Sequence, residues 1–210
     1  PLTGPAEAAE WADMVLLAVK PNVIEAVVAE MGEALAGKAV LSIAAGWTTE
    51  KLRSILPEES RVLFVIPNTP CMVGEGMALA EDRSSFTEEE LGYAASLFSA
   101  IGQFKLVPPS VMNGASTLTG CGPAYLYLII EALADGAVYQ GVPRKLAYEL
   151  AAQTVIGAGK MVLEGGLHPG ELKDNVCSPG GTTIRGVRAM EDRGVRAAMM
   201  AAIGASSHNA

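Results

Sequence analysis

Histidine is scarce in this chain, occurring only at positions 168 and 208. A histidine triad, a histidine-rich metal site or an imidazole acid–base catalyst would have to rest on one of those two side chains. Cysteine is nearly as rare. Cys71, Cys121 and Cys177 are odd in number, far apart and in no CxxC pair, which argues against a disulfide framework or a thiolate metal site and suits a reducing cytoplasm. Positive charge is short as well: 15 Lys and Arg stand against 23 Asp and Glu, a formal charge of −8. Nucleic-acid binders need a basic face to displace counterions from phosphate, so no nucleic-acid partner is expected. The longest uninterrupted apolar runs, residues 14–19 and 125–130, fall far short of the roughly 20 residues that cross a bilayer, so no membrane partner is expected either. The opening Pro1-Leu2-Thr3-Gly4-Pro5 has no initiator Met and no signal-peptide pattern, and reads as a start partway into a longer protein.

What the chain does have is apolar bulk and glycine. Hydrophobic residues make up 50% and charged residues 18%, against about 25% charged in an average soluble domain. That is ample material for a core, and more apolar surface than one subunit needs. Glycine occupies 23 of 210 positions, above the usual share of about 7% and without any collagen-like period. Such a content predicts tight turns and close backbone approaches.

The first half alternates β-branched runs with helical ones. Residues 14–19 read as a buried parallel strand ending at Lys20-Pro21, residues 23–35 as a helix stopped by Gly37, and residues 39–44 as the next strand. A short helix over 48–56 and a third strand over 61–66 follow. This order implies a right-handed parallel sheet covered on both faces. Residues 74–80 read as an edge-like strand, Thr87 and Glu90 as a capping box opening a helix to about Ala100, and residues 104–107 as a closing strand. Beyond Pro108-Pro109 nothing reads as a strand up to Ser206. Helices are expected from Pro123 to Gly141, from Pro143 to Gly165-Gly166, from Pro169, after Gly180-Gly181, and from about Val195. Their apolar positions cover more than one stripe of about 100°, which calls for a partner subunit. The expected domains are therefore residues 1–108, an α/β unit, and residues 109–210, an all-helical unit.

In an open parallel sheet, ligands bind beyond the carboxyl ends of the strands. The three ends here are Ala18-Val19-Lys20-Pro21, Ile43-Ala44-Ala45-Gly46 and Pro67-Asn68-Thr69-Pro70. Each could be an ordinary turn; their coincidence at one sheet edge favours a ligand. A G-x-G-x-x-G turn, which would seat a pyrophosphate on a helix N-terminus, is missing. In the helical half, Ser178-Pro179-Gly180-Gly181-Thr182-Thr183 precedes a helix expected near Ile184. Two glycines free to take positive φ and a Thr pair able to cap would form a cup of N–H groups at the positive end of a helix, suited to a small carboxylate. A plain glycine-rich loop is the competing explanation. Gly120-Cys121-Gly122-Pro123 reads as a tight turn between helices.

These residues together resemble pyrroline-5-carboxylate reductases. The resemblance rests on residues 120–125, on Glu131-Ala132-Leu133-Ala134-Asp135-Gly136-Ala137, on His168-Pro169-Gly170 through Lys173-Asp174 to Ser178–Ile184, and on the three strand-end loops with Val73-Gly74-Glu75-Gly76. It spans about Ala8 to Ala205. It implies an incomplete Rossmann-like parallel-sheet domain followed by a helical dimerisation domain that interlocks with a second subunit. The implied reaction is reduction of Δ1-pyrroline-5-carboxylate to L-proline by NADPH or NADH, in a homodimer or higher homo-oligomer in the cytoplasm. By the same resemblance Ala18, Val19, Lys20, Pro21, Ile43, Ala44, Ala45 and Asn68 line the cofactor, and Asn175 reaches its carboxamide across the dimer. Ser178, Gly180, Gly181 and Thr182 hold the substrate carboxylate, and the Thr183 hydroxyl, the catalytic contact, bonds the ring nitrogen. Such chemistry needs no histidine: a protonated imine attracts hydride, and the enzyme mainly orients two partners and sheds water.

The sequence departs from the family pattern in lacking the phosphate-binding glycine turn and the first βαβ unit, in Cys121 where Ser is common, and in Ile66 where Met is usual. Two further readings fit the same residues: a catalytically silent helical dimerisation module, and a related Rossmann reductase of another imine or keto acid. The choice between NADH and NADPH is not written in these residues, because the side chain that meets the adenosine ribose would lie in the missing segment.

Overall fold

The computed structural model describes residues 4–207, so His208 lies outside the described residues. The chain divides into two compact units, Pro1–Gly120 and Cys121–Ala210. In the first, helix α1 (Pro5–Trp11), which the sequence reading missed, leads into β1 (Met14–Leu17). A 3-10 turn at Pro21–Val23 opens α2 (Ile24–Met31), and a second at Gly32–Leu35 closes it before β2 (Ala39–Ser42). Then come α3 (Thr49–Arg53), β3 (Arg61–Ile66), a 3-10 turn at Thr69–Val73, β4 (Gly76–Glu81), α4 (Glu88–Ser99) and β5 (Gly102–Val107).

The five strands form one sheet in the order β1-β2-β3-β4-β5. β1, β2 and β3 are parallel, with Leu17 opposite Ser42 and Ser42 opposite Phe64. β4 runs antiparallel to β3, and β5 parallel to β4. The expectation of an edge strand over 74–80 is therefore corrected: β4 is an inner strand, and Ala78, Leu79 and Ala80 are all buried. Its position depends on close backbone approach. A Cβ on Gly102, which has φ +148°, would lie 2.1 Å from the carbonyl oxygen of Gly76, so only glycine lets β5 come alongside β4 at this register.

Side chains alternate across the strands, as the two-residue period requires. Leu17, Val40, Val62 and Phe64 join Ile24, Val28, Leu35 and Leu52 on one face. Leu41, Leu63, Val65, Ala78 and Ala80 join Ala94 and Phe98 on the other. Each fully buried side chain of the Val, Leu, Ile or Phe type contributes about 1.5–3 kcal/mol relative to exposure. Helix α4 begins where the capping box was expected: Thr87 Oγ1 accepts from the Glu90 N–H at 3.2 Å, and Glu90 Oε2 accepts from the Thr87 N–H at 2.9 Å. The same carboxylate takes two donors from Arg61 at the start of β3, Nε at 2.9 Å and Nη2 at 2.6 Å, and so anchors α4 to the sheet.

The second unit is helical among its described residues. Helix α5 (Pro109–Tyr139) runs through the division between the units, followed by α6 (Arg144–Glu164), α7 (Pro169–Asn175), α8 (Thr182–Asp192) and α9 (Val195–Ser206). Two expectations fail here. Gly120-Cys121-Gly122-Pro123 is not a turn but part of α5, and Pro123 lies in that helix's interior rather than its first turn. Within this unit the Tyr125 hydroxyl reaches Ala202 O at 3.2 Å and Ser206 Oγ at 2.5 Å, tying α5 to α9. The buried apolar cluster is small, centred on Ala134, Ala147 and Ala151, while Leu128, Leu150, Ile156 and Leu163 stand 62%, 52%, 52% and 80% exposed.

Candidate functional site

Three adjacent parallel strands bring their carboxyl ends to one edge of the sheet. β1 stops at Leu17 and β2 at Ser42, earlier than the sequence suggested. Ala18, Val19, Lys20 and Pro21, and likewise Ile43, Ala44 and Ala45, therefore all lie beyond the strands. Ala18, Lys20 and Ala45 are exposed there, and Ala44 is buried. A residue the sequence reading passed over joins the first two loops: Trp47 Nε1 donates to Pro21 O at 3.1 Å. Lys51 Nζ donates to Gly46 O at 3.0 Å, and a cavity of about 420 Å³ opens beside Gly46, Trp47 and Lys51. The signal was an indole and an ammonium just after a strand-end Gly; neither forms part of a recognisable motif, so neither was picked out. A larger groove of about 1040 Å³ runs past Trp11, Met14, Leu16, Ala39 and Tyr93. It lies at the amino ends of β1 and β2, away from the edge where parallel sheets place their ligands.

Asn68 follows β3 and uses its side chain inside the fold. Its Oδ1 accepts from the Met77 N–H at 2.8 Å and its Nδ2 donates to Thr119 O at 2.9 Å. The strand-end backbone and small side chains leave room for a flat ligand, and Lys20 is an exposed cation beside them.

The second unit supplies a different surface. The Gly181 N–H donates to Ser178 O at 3.0 Å, closing a four-residue turn with Pro179 at its second position and Gly180, at φ +67°, at its third. This is the arrangement of a type II turn, whose third position requires positive φ. Helix α8 then starts at Thr182, not near Ile184, with Gly181 as N-cap and no side-chain cap bond. The Thr pair therefore does not cap the helix, because it already stands inside the first turn. Thr182, Thr183 and Ile184 fill the first three helical positions, where backbone N–H groups have no intrahelical acceptor. Gly181 is needed for space: a Cβ there would sit 2.4 Å from Ser178 Oγ and 3.0 Å from Ser178 O. Arg185, also not singled out from sequence, donates from Nη2 to Gly180 O at 2.8 Å and braces the turn. The Ser178 hydroxyl, the open N–H groups of the first helical turn and the helix dipole are groups chemically suited to a small anion such as a carboxylate.

Asn175 is the last residue of α7 and is exposed. Beside it the Asp174 carboxylate bonds the Lys173 ammonium and holds it above its ordinary pKa. His168 caps α7: its Nδ1 accepts from the Gly170 N–H at 3.0 Å.

The profile of the pyrroline-5-carboxylate reductase dimerisation family matches residues 109–210. A reductase of that name from Methanosarcina acetivorans is 46% identical over 192 residues, 91% of this chain and 71% of the relative. The chain belongs to the pyrroline-5-carboxylate reductase family. Among solved structures, the pyrroline-5-carboxylate reductase of Coxiella burnetii superposes with a TM-score of 0.91 at 33% identity, over 98% of this chain and 77% of that one. The Plasmodium falciparum pyrroline carboxylate reductase, solved with NADP bound, gives 0.85 at 33% identity, over 98% and 78%. Residues 2–46 also match the profile described as NADP oxidoreductase, coenzyme F420-dependent, in keeping with a Rossmann-like first unit.

The residues that match the dimerisation family are the ones that leave large apolar side chains exposed in the single chain, in keeping with a homo-oligomer. Helix α5 is also long and apolar enough to span a bilayer by length and composition, with a mean hydropathy of 1.2 over an 18-residue stretch. The dimerisation family model spans that helix.

Proposed function

We propose that this chain reduces Δ1-pyrroline-5-carboxylate to L-proline with NAD(P)H, as a homo-oligomer in the cytoplasm, where its free thiols at Cys71, Cys121 and Cys177 suit a reducing compartment. The observation that carries the reading is the carboxylate cradle at the start of α8, in a chain of this family. The loops at residues 18–21, 43–45 and 67–70 hold the cofactor against the carboxyl edge of the sheet, and Asn175 of a second copy of the chain hydrogen-bonds its carboxamide across the dimer. When bound, NAD(P)H supplies the hydride for the C=N carbon. Ser178 Oγ and the N–H groups of Thr182 and neighbouring residues hold the substrate carboxylate, with Gly180 and Gly181 shaping the turn. The Thr183 hydroxyl bonds the ring nitrogen and so fixes which atom of the ring is presented for reduction.

Purified protein given pyrroline-5-carboxylate with NADPH or NADH is expected to form L-proline with matching oxidation of the cofactor. Folded, dimeric protein that binds no NADPH by calorimetry and forms no proline would be a silent dimerisation module. Turnover of other cyclic imines without pyrroline-5-carboxylate turnover would reassign the substrate.

A further inference from the structure

Pro123 stands inside α5 and has no backbone N–H. The carbonyl one turn earlier, that of Thr119, is thus deprived of the donor an α-helix ordinarily supplies. The donor comes instead from 51 positions away, from Asn68 Nδ2 at 2.9 Å. The same side chain holds the start of β4 through the Met77 N–H at 2.8 Å. One amide thus bridges a strand-end loop, an inner strand and a helix at the point where the helix lacks its own bond.

We infer that Asn68 is a positioning residue: it replaces the N–H that Pro123 lacks, and through that bond and the one to Met77 it fixes the loop of residues 67–70, whose backbone forms part of the cofactor edge. The second half of this inference rests on the proposed cofactor edge; the first does not. An asparagine is required because the site needs an acceptor and a donor on one short side chain. Asp supplies the acceptor for Met77 but sets a second oxygen against the Thr119 carbonyl, and Ala supplies neither.

The test is a double-mutant cycle between Asn68 and Pro123 on the full chain, read by chemical unfolding and by kinetics. Pro123→Ala returns a helical N–H to Thr119 O. Asn68→Ala should therefore lower the folding equilibrium constant about fivefold more in the wild-type background than in the Pro123→Ala background, the weight of about one net hydrogen bond. Asn68→Asp, which keeps the Met77 bond, should be no more stable than Asn68→Ala with Pro123 present. In kinetics, Asn68→Ala should raise the KM for NADPH about fivefold or more with the KM for pyrroline-5-carboxylate unchanged, a split that general destabilisation does not produce. Additive unfolding effects, or an Asn68→Asp protein as stable as wild type, would overturn the replacement of the proline's donor. Coupled unfolding with an unchanged NADPH KM would overturn the positioning of the cofactor loop. Failure of the wild-type chain to bind NADPH would instead overturn the reading of the cofactor edge, and the unfolding cycle would still decide the role of Asn68 at Thr119.

Discussion

Replacing Gly181 with Ala isolates the carboxylate cradle from the rest of the fold. Gly181 has φ −70° and ψ 175°, extended backbone open to any residue, so the substitution brings no conformational strain. The difficulty is volume. The new Cβ would lie 2.4 Å from Ser178 Oγ and 3.0 Å from Ser178 O; the hydroxyl must swing away and the turn carbonyl give slightly. Moving one exposed serine off its position costs the fold about 0.5–1.5 kcal/mol, a Tm shift of about 1–6 °C for a chain of this size. It costs the substrate more, because a hydrogen bond to a charged carboxylate is worth about 1.5–3 kcal/mol. Each 1.4 kcal/mol is about tenfold in affinity, so the KM for pyrroline-5-carboxylate should rise about 10- to 100-fold with the NADPH KM unchanged. Ser178→Ala removes the same hydroxyl directly. Since both substitutions abolish one interaction, the double variant should be scarcely worse than either alone. Initial rates with substrate varied at saturating NADPH, for wild type and the three variants, give the cycle. Additive effects, or an unchanged substrate KM in Gly181→Ala, would refute the assignment of the Ser178 hydroxyl to the carboxylate.

Thr183→Ala should lower kcat/KM more than tenfold, about 1.4 kcal/mol or more, while Thr183→Ser keeps most activity; unchanged steady-state kinetics would remove Thr183 from the mechanism. Trp47→Phe loses the N–H that joins the first two strand-end loops at Pro21, about 1 kcal/mol; if those loops hold the cofactor as proposed, the KM for NADPH should rise about fivefold without a change in kcat. The Arg61 guanidinium holds the Glu90 carboxyl below its usual range, and the pair raises Arg61 in return. A carboxyl whose folded pKa is depressed stabilises the fold above its unfolded pKa and loses that contribution as pH falls through the folded value. Wild type should therefore be more stable than Glu90→Gln by about 1 kcal/mol at neutral pH, and urea unfolding at stepped pH should show the gap closing below the ordinary carboxylate range.

Local chemistry was readable wherever the interacting residues are neighbours in sequence. The Thr87 and Glu90 capping box needs only three residues of spacing, and it forms as the sequence foretold. The parallel strands β1 to β3 declared themselves by their continuous apolar runs, and the family's site motifs are contiguous strings. Tertiary structure decided the rest, because the deciding partner lay far along the chain. Nothing local to residues 74–80 says that β5 will pair beside β4; the glycine-to-glycine approach of Gly76 and Gly102 does. A proline after two glycines reads as a helix start, and it becomes a helix interior where Asn68 meets the carbonyl it strands. The start of α8 at Thr182 follows from the turn closed on Ser178 O, which makes Gly181 the cap and frees the two threonines from capping. Sequence by itself determined the apolar strand runs, the capping box and the family to which the chain belongs, since side-chain type and short spacing are written in it; the fold decided which polar atoms are already bonded and which are left open, since that depends on hydrogen bonds closed across long stretches of chain.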